Sequence, residues 1–334
     1  MGVVNYSSLF NTLRQRLSGN SARLKVLTDL IVALLKTRSV NLVHLVTHSE
    51  LSGAQHIIYR RLQCFFAHWN LPQSLLAQFI LSRISKPKNG YVLSIDRTNW
   101  QFGQQHINIL TIGIVIDKVA VPLVWRTLPQ ASKRGNSNTT HRIELVSKLL
   151  NVLPAKDISF LAMDREFCGQ QRLKWLDEQD ITFVLRLKLN TLVGKYLAKE
   201  HSRSKRDRQA IFGMLLYFGR KVVNTQRTEI LYVVSNHLKP KKALRAYLQR
   251  WSIEVVFGYL KKKGLNLEDT HMSQSEKIDR LVTVCTLALP FSFKWGMLLK
   301  AHFNDSIYYQ RKSNFRLGLE SFIRLIRNEK SVRA

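Results

Sequence analysis

Apolar side chains recur at three- and four-residue spacing through the first 85 residues, which is the pattern of amphipathic helices. Helices are predicted from this spacing over residues 6–17, 22–36, 42–48, 52–69 and 72–84. The sequence from Ser85 to Gly90 that follows is rich in turn formers and indicates a linker. We therefore expect a helical N-terminal domain over residues 1–88.

After the linker, β-branched and apolar runs with short polar breaks replace the helical pattern. Strands are predicted over residues 91–96, 107–117, 119–128, 158–164 and 181–187, and helices over 140–152 and 170–178. Asp117-Lys118, between the second and third strands, is interpreted as a hairpin turn. Three consecutive strands followed by helix, strand, helix and strand are the element order of an RNase H-like core, so an α/β fold is expected.

A second strand-rich segment interrupts this pattern at about residues 188–238. Alternating stretches at 210–218 and 228–234 predict strands, and the basic run at 199–208 predicts a solvated loop. We interpret the segment as a small insertion within a second domain that covers residues 89–305.

The last third of the chain has the periodicity of helices again. One long helix is predicted over residues 239–263, ending at Gly264, and another over 276–301, bent or broken at Pro290. Residues 306–334 are interpreted as a basic, helical tail.

The charge of the chain points to its partner. There are 52 Lys and Arg against 22 Asp and Glu, a formal net charge of +30, and the pI is about 10.4. An excess of this size repels itself in the compact state and is typical of proteins with a polyanionic partner. The longest apolar run, residues 281–293, is well short of the ~20 residues that span a bilayer, so no membrane contact is expected. Nucleic acid is the expected partner.

The cysteines bear on metal binding and on the compartment. Cys64, Cys168 and Cys285 lie far apart and have no C-x-x-C spacing, which argues against a zinc cluster and suggests a reducing compartment. No basic-plus-apolar signal peptide opens the chain. We therefore expect a cytoplasmic protein.

Two of the predicted strands end in an aspartate. Tyr91-Val-Leu-Ser-Ile-Asp96 and Ile158-Ser-Phe-Leu-Ala-Met-Asp164 each place a carboxylate where a buried strand emerges. If the two strands are neighbours, both acids meet at one edge of the sheet, where the sites of such sheets lie. The alternative is that each aspartate is an ordinary turn former or helix cap.

The helix predicted over residues 239–263 carries a third acid. Tyr247, Arg250, Glu254 and Lys261 stand at offsets of 0, 3, 7 and 14. On one helix they fall within roughly 60° of one another, along a stripe about 21 Å long. The other positions are apolar nearly all round, so the helix is expected to be largely buried. A buried carboxylate needs a cation or another partner. The alternative to a bound cation is a structural ion pair between Glu254 and Arg250.

Together the three carboxylates form a hard, oxygen-only donor set of the kind that Mg²⁺ or Mn²⁺ prefers. Two such ions ~3.5–4 Å apart activate an attacking oxygen and stabilise the leaving one in phosphodiester displacement. The polar residues on the same helix face would then hold the phosphates on either side, which positions DNA without reading its sequence. Glu268 and Asp269 are the alternatives to Glu254 as the third acid.

The spacing Tyr247-x2-Arg250-x3-Glu254-x6-Lys261 resembles the Y-(2)-R-(3)-E-(6)-K signature of the transposases of insertion sequence family four. That family includes the transposases of the composite transposons Tn-five and Tn-ten. Within the signature, Arg250-Trp-Ser-Ile-Glu254 resembles the usual R-W-x-I-E. Further blocks are similar to those around the first acid, the second acid and the connecting loop of the family: Leu93-Ser-Ile-Asp96-Arg-Thr-Asn-Trp100, Asp164-Arg-Glu-Phe167 and Gly135-Asn-Ser-Asn138. The resemblance covers about residues 90–300.

The resemblance implies an RNase H-like DDE transposase that performs cut-and-paste transposition with two Mg²⁺ or Mn²⁺ ions per active site. It assigns the catalytic and metal-binding roles to three carboxylates: Asp96, Asp164 and Glu254. It assigns contacts to the transposon end to three further side chains: Tyr247, Arg250 and Lys261. The implied partners are double-stranded DNA, as terminal inverted repeats and target, and a second protomer when paired ends are bound. The implied location is the nucleoid in the bacterial cytoplasm.

One feature of the chain departs from the family. In well-known members, the stretch of sequence between the second acid and the Glu contains a Trp that traps a flipped base. Here that stretch contains Trp175, which follows Asp164 too closely for this role, and Trp251, which belongs to the signature helix. Tyr217, Phe218 and Tyr232 are the candidate substitutes, and no sequence feature chooses among them.

Two other classes of function fit the same residues. A metal-dependent DNA endonuclease of the RNase H-like type would cut without strand transfer, and a transposase-derived DNA-binding protein would leave its acids unused. In the transposase interpretation, residues 1–88 bind the transposon end. Arg250→Ala and Lys261→Ala are then expected to leave folding nearly intact and to impair DNA-dependent steps.

Overall fold

The structure is a computed structural model that describes residues 6–17, 19–128, 137–201, 207–224 and 229–321. Three sequence predictions concern residues outside these ranges: the first two residues of the loop block that begins at Gly135, the middle of the basic loop at 199–208, and the end of the tail.

The described helices are α1 (Tyr6–Arg16), α2 (Ser21–Thr37), α3 (Leu42–Thr47), α4 (Gln55–His68), α5 (Gln73–Leu81), α6 (Thr139–Leu150), α7 (Gln170–Glu178), α8 (Pro240–Tyr247), α9 (Trp251–Leu260), α10 (Ser275–His302) and α11 (Ile307–Arg311), and residues 314–321 are also helical. The described strands are β1 (Tyr91–Phe102), β2 (Gln105–Ile116), β3 (Val119–Leu128), β4 (Ile158–Met163), β5 (Phe183–Arg186), β6 (Leu192–Val193), β7 (Tyr196–Leu197), β8 (Arg208–Ile211), β9 (Met214–Asn224) and β10 (Glu229–Ser235).

Contacts divide the chain into two compact units. Unit 1 combines residues 1–83, 100–107 and 257–334, and unit 2 combines residues 84–99 and 108–256. The functional domains interpreted from the sequence stay predictions.

Within unit 1, the N-terminal helices share their core with the C-terminal helix α10. This helix packs against α2, α4 and α5, and Arg280 Nη1 donates a hydrogen bond of 2.7 Å to the Phe66 carbonyl. It continues through Pro290 without a break. By length and composition α10 could cross a membrane. However, 72% of its most apolar 18-residue stretch is buried inside the protein, as in a core helix. The apolar periodicity of α2 and α10 therefore reflects their contact with each other.

In the described part of the chain, the central sheet has eight strands in the order β3-β2-β1-β4-β5-β10-β9-β8. β1 pairs with β4 and β4 with β5 in parallel, and the predicted turn residues Asp117 and Lys118 join β2 to the antiparallel β3. Both turn residues have left-handed backbone (φ of 47° and 64°), as tight two-residue hairpins require. Three antiparallel strands followed by two parallel ones, connected through α6 and α7, are the RNase H-like arrangement. This confirms the predicted fold.

The strands of the predicted insertion extend the central sheet. β10 pairs antiparallel with β5, with Val233 opposite Arg186, and β9 and β8 continue outward from β10. The short strands β6 and β7 form a separate two-stranded sheet. Because β10 covers it, β5 is an interior strand of the sheet, and the last strand of the RNase H-like order is not exposed as an edge.

The segment predicted as one helix over residues 239–263 is interrupted. A 3-10 turn at Leu248–Arg250 separates α8 from α9, so the prediction of a continuous helix is wrong. Side-chain hydroxyl groups occupy two carbonyl groups at this turn: Ser252 donates to Gln249 (2.6 Å) and Ser94 of β1 donates to Arg250 (3.2 Å). Such bonds compete with the regular helical ladder.

The same segment is more exposed than its apolar sequence indicated. Leu248 and Trp251 are each 61% exposed, so the helix is not buried all round.

Candidate active site

The first two acids lie on neighbouring parallel strands. The pairing of β1 with β4 ends at Ile95 opposite Met163. Asp96 comes directly after the paired part of β1, and Asp164 directly after β4. Since β1 continues to Phe102, the prediction that its strand ends at Asp96 is wrong; the added residues belong to the hairpin with β2. The carboxyl ends of the two strands nevertheless place both acids at one edge, as parallel sheet geometry predicts.

Asp96 is a largely buried carboxylate, with its side chain 17% exposed. It accepts a hydrogen bond of 2.8 Å from the Arg97 backbone N–H. Burial raises the pKa of Asp96 to about 7, and the negative charges of Glu166 and Asp164 add to this rise, while the Arg97 hydrogen bond and the Arg250 charge oppose it. A cation beside this group would stabilise its charged form.

Arg250 connects the first acid to the third. Its Nη1 lies 3.3 Å from Asp96 Oδ2, and its Nη2 lies 2.6 Å from Glu254 Oε1. The Arg250 side chain is 8% exposed, and its guanidinium carbon lies 5.7 Å from the Tyr247 ring centroid and 5.8 Å from that of Trp251. The turn at Leu248–Arg250 thus places one arginine between two carboxylates from distant parts of the sequence. The ion pair with Glu254, which the sequence left as an alternative, is present.

Tyr247 connects the second acid to the same segment. The Tyr247 hydroxyl group donates a hydrogen bond of 3.1 Å to Asp164 Oδ1. Burial raises the pKa of Tyr247 to about 12, so its hydroxyl group keeps its proton and acts as a donor. Tyr247 and Arg250 therefore hold Asp164, Asp96 and Glu254 in one network.

Lys261 has other partners. It follows the end of α9 by one residue, because this helix stops at Leu260 and not at residue 263. Its Nζ lies 3.0 Å from Glu268 Oε1 and 5.9 Å from the Trp100 ring centroid. Glu268, one alternative for the third acid, is paired with this lysine, whereas Glu254 shares Arg250 with Asp96. The contacts therefore favour Glu254.

Three supporting residues escaped the sequence interpretation. Ser94 holds the Arg250 carbonyl, and Arg97 Nη2 lies 3.5 Å from Glu166 Oε2. Each of these residues lies within two positions of Asp96 or Asp164. That proximity along the chain was the available signal, but their side-chain directions depend on the folded sheet.

The structure also separates the candidate aromatic side chains. Phe218 and Tyr232 are 7% and 2% exposed and stack on each other with ring centroids 6.0 Å apart. Tyr217 lies beneath Arg208, whose guanidinium carbon is 4.4 Å from the ring centroid. Tyr196 and Trp251, by contrast, are 63% and 61% exposed. Burial therefore argues against Phe218 and Tyr232 as stacking surfaces for an extruded base.

The donor set fits a divalent cation in its chemistry. Among the described residues, no three His, Cys, Asp or Glu side chains are gathered closely enough to hold a metal ion as they stand. The carboxylates on β1, after β4 and on α9 nevertheless supply only hard oxygen donors. A bound cation would lower the raised pKa of Asp96 and would offset the repulsion between Asp96 and Asp164.

Comparison with known proteins identifies the family of the chain. A family model described as the transposase DDE domain matches residues 88–290, more than half of the chain. A solved structure, the piggyBac transposase synaptic complex with hairpin DNA determined by cryo-EM, is similar with a TM-score of 0.44 and 12% identity, over 98% of this chain and 77% of that one. A likeness at this level carries no functional argument. No curated protein matches the chain by sequence. On the match to residues 88–290, the chain belongs to the family of transposases with a DDE domain.

Proposed function

We propose that this transposase is an insertion-sequence enzyme of insertion sequence family four that cuts its transposon ends from DNA and joins them to a target. The observation that carries the proposal is Arg250, which pairs with both Asp96 and Glu254. The Y-R-E-K spacing and the Tyr247–Asp164 hydrogen bond support the same assignment.

DDE transposases use divalent metal ions. The three carboxylates are proposed to hold two such ions, either Mg²⁺ or Mn²⁺. Bound ions would activate an attacking oxygen and stabilise the leaving one. Tyr247 keeps Asp164 oriented through its hydrogen bond, and Arg250 neutralises the two other acids. Arg250 and Lys261 are also proposed as contacts to phosphates of the transposon end.

The proposed substrate is double-stranded DNA, as terminal inverted repeats and target. The net charge of +30 suits a polyanion, and backbone contacts by basic side chains supply most of its binding. Joining two ends to one target calls for two protomers, so we propose a dimer on paired ends. The nucleoid of a bacterial cell is then the place of action.

Strand transfer distinguishes this function from its nearest alternative. We expect the purified chain, given Mg²⁺ or Mn²⁺ and a fragment bounded by the inverted repeats that flank its gene, to join this fragment to a labelled plasmid. A fragment with scrambled ends is the control. Cleavage without any joined product would favour the nuclease that cuts only, and binding without cleavage would favour the DNA-binding derivative.

Recognition of the end is proposed for residues 1–88. Because α2, α4 and α5 pack on α10, the test uses the whole chain rather than a fragment. Exchanging the exposed Arg14 and Arg60 for Gln is expected to lower affinity for end DNA more than for random duplex, by about 1–3 kcal/mol for each arginine that reads a base.

Fluorescence anisotropy with both DNAs measures this effect. An equal loss for the two DNAs would indicate a non-specific clamp, and no loss would indicate a helical cap on the core.

A further inference from the structure

A basic cavity opens next to the second acid in unit 2. It measures about 570 Å³, and its lining includes Arg142, Arg165, Glu166, Lys188 and Asn190. Arg165, Lys188 and Asn190 are exposed at its mouth. Three cations and one carboxylate in one lining make the cavity suited to an anion.

Buried positive charge lies in the wall of the cavity, at Arg142, and next to that residue, at Arg172. Arg142 and Arg172 are 9% and 2% exposed, and both guanidinium groups lie over the ring of Phe167, at 4.8 Å and 5.4 Å from its centroid. Burial lowers the pKa of Arg172 to about 9, and the charge of Arg142 lowers it further in the same direction. The two positive charges repel each other, and their burial removes the water that would solvate them, so this arrangement is electrostatically unfavourable without a partner.

The described residues do not balance this charge. Burial lowers the pKa of both arginines, and the charge of Glu166 opposes this change at each of them. Glu166 also lies 3.5 Å from Arg97, so one carboxylate serves three guanidinium groups. Within the described part of the chain, Nε and Nη2 of Arg172 have no hydrogen-bond acceptor, although they are buried. Arg142 Nε has one acceptor, the Ser137 hydroxyl group at 2.7 Å. An anion in the cavity would offset the positive charge that the two arginines share, since buried charges are stable when paired.

We propose that this cavity binds one phosphodiester group of the DNA backbone. Arg165 and Lys188 contact the phosphate at the mouth, and Arg142 faces it from the wall, with Arg172 adding charge behind. Because Arg165 follows Asp164 directly, the bound phosphate lies on the strand next to the proposed reacting group and fixes its position without reading sequence. This inference rests on the proposed function, and it adds a positioning site that the signature residues do not include.

The test measures binding to a mixed-sequence duplex in EDTA, where no cleavage occurs, over a range of KCl concentrations. The variant exchanges Arg165 and Lys188 for Gln together. Its matched control exchanges Lys156 and Lys174, two exposed lysines of the same unit, for Gln. Lys156 precedes β4, at the opposite end of that strand from Arg165.

Losing one phosphate contact is expected to lower the slope of log K against log salt by about one, and to weaken binding about five-fold near 0.15 M salt. The control pair should keep the wild-type slope. Equal slopes for the variant and its control would overturn the proposal.

Sulfate separates a free anion from a DNA phosphate. At equal ionic strength, sulfate is expected to raise the Tm of the wild type and of the Lys156/Lys174 control above their values in chloride by more than it raises that of the Arg165/Lys188 variant, which keeps only the general stabilisation by sulfate. Loss of the sulfate effect with an unchanged DNA slope would make the cavity a free-anion site and overturn the phosphodiester assignment. A wild type that binds no duplex at all would instead count against the proposed function, with the sulfate response still reporting on the cavity.

Discussion

Alanine at Asp96, Asp164 or Glu254 is expected to abolish DNA cleavage while DNA binding survives. Removing one ligand of a shared metal site removes most of its effect, so we expect each variant to lose about three orders of magnitude in rate or more. A gel assay of cleavage in Mg²⁺ and Mn²⁺, beside a gel-shift assay in EDTA, separates chemistry from binding. A variant that keeps nearly the wild-type rate would lose its place in the site.

Glu268→Ala is the matched control for the third acid. Glu268 pairs with Lys261, and its removal should leave most of the cleavage rate. If Glu268→Ala abolished cleavage and Glu254→Ala did not, the third carboxylate would have to be reassigned.

Arg250→Ala is expected to destabilise the metal-free protein as well as to impair its DNA chemistry. The sequence alone favoured a mild effect on folding, but the guanidinium group is 8% exposed and pairs with Asp96, which is 17% exposed. Breaking a buried pair costs about 3–5 kcal/mol, and we expect the lower end here because Glu254 is 35% exposed and solvent screens it. Thermal and urea unfolding in EDTA measure the change.

A double-mutant cycle identifies the cause of that loss. If Arg250 stabilises the fold by neutralising Asp96, then Asp96→Asn should restore much of the stability of Arg250→Ala, since an uncharged side chain needs no counterion. Lys261→Ala should melt close to the wild type, because Lys261 pairs with Glu268 and not with Asp96 or Glu254. An Arg250→Ala protein that melts like the wild type in EDTA would show that the pair contributes nothing to stability and that Arg250 serves DNA alone.

Local pattern was enough for most of the elements but not for the contacts between them. A run of β-branched and apolar residues predicted β3, and the turn at Asp117-Lys118 followed from two adjacent residues. The order of the sheet beyond β5 depends on Val233 meeting Arg186, a pairing that no local spacing encodes. At the break before α9, the Arg250 carbonyl accepts a hydrogen bond from Ser94, a residue of β1. Both contacts join residues that are distant in the sequence.

The candidate site shows the same division. Asp96 and Asp164 were recognisable because each follows a buried strand, and Glu254 because of its spacing from Arg250. Arg142 and Arg172 were not, because an arginine on an amphipathic helix is usually solvated. Their burial over Phe167 is a tertiary property.

The contact of α2 with α10 has a consequence for synthesis. These helices begin at Ser21 and Ser275, so at about 5–20 residues per second the ribosome makes the second roughly 10–50 s after the first. During that interval the side chains that α2 buries in the finished protein, such as Leu27, Leu30 and Leu34, lack their final cover. A nascent chain that stalls before residue 275 would present this apolar face to chaperones and proteases. Premature termination should therefore yield degraded or aggregated protein and no stable N-terminal fragment that could occupy transposon ends.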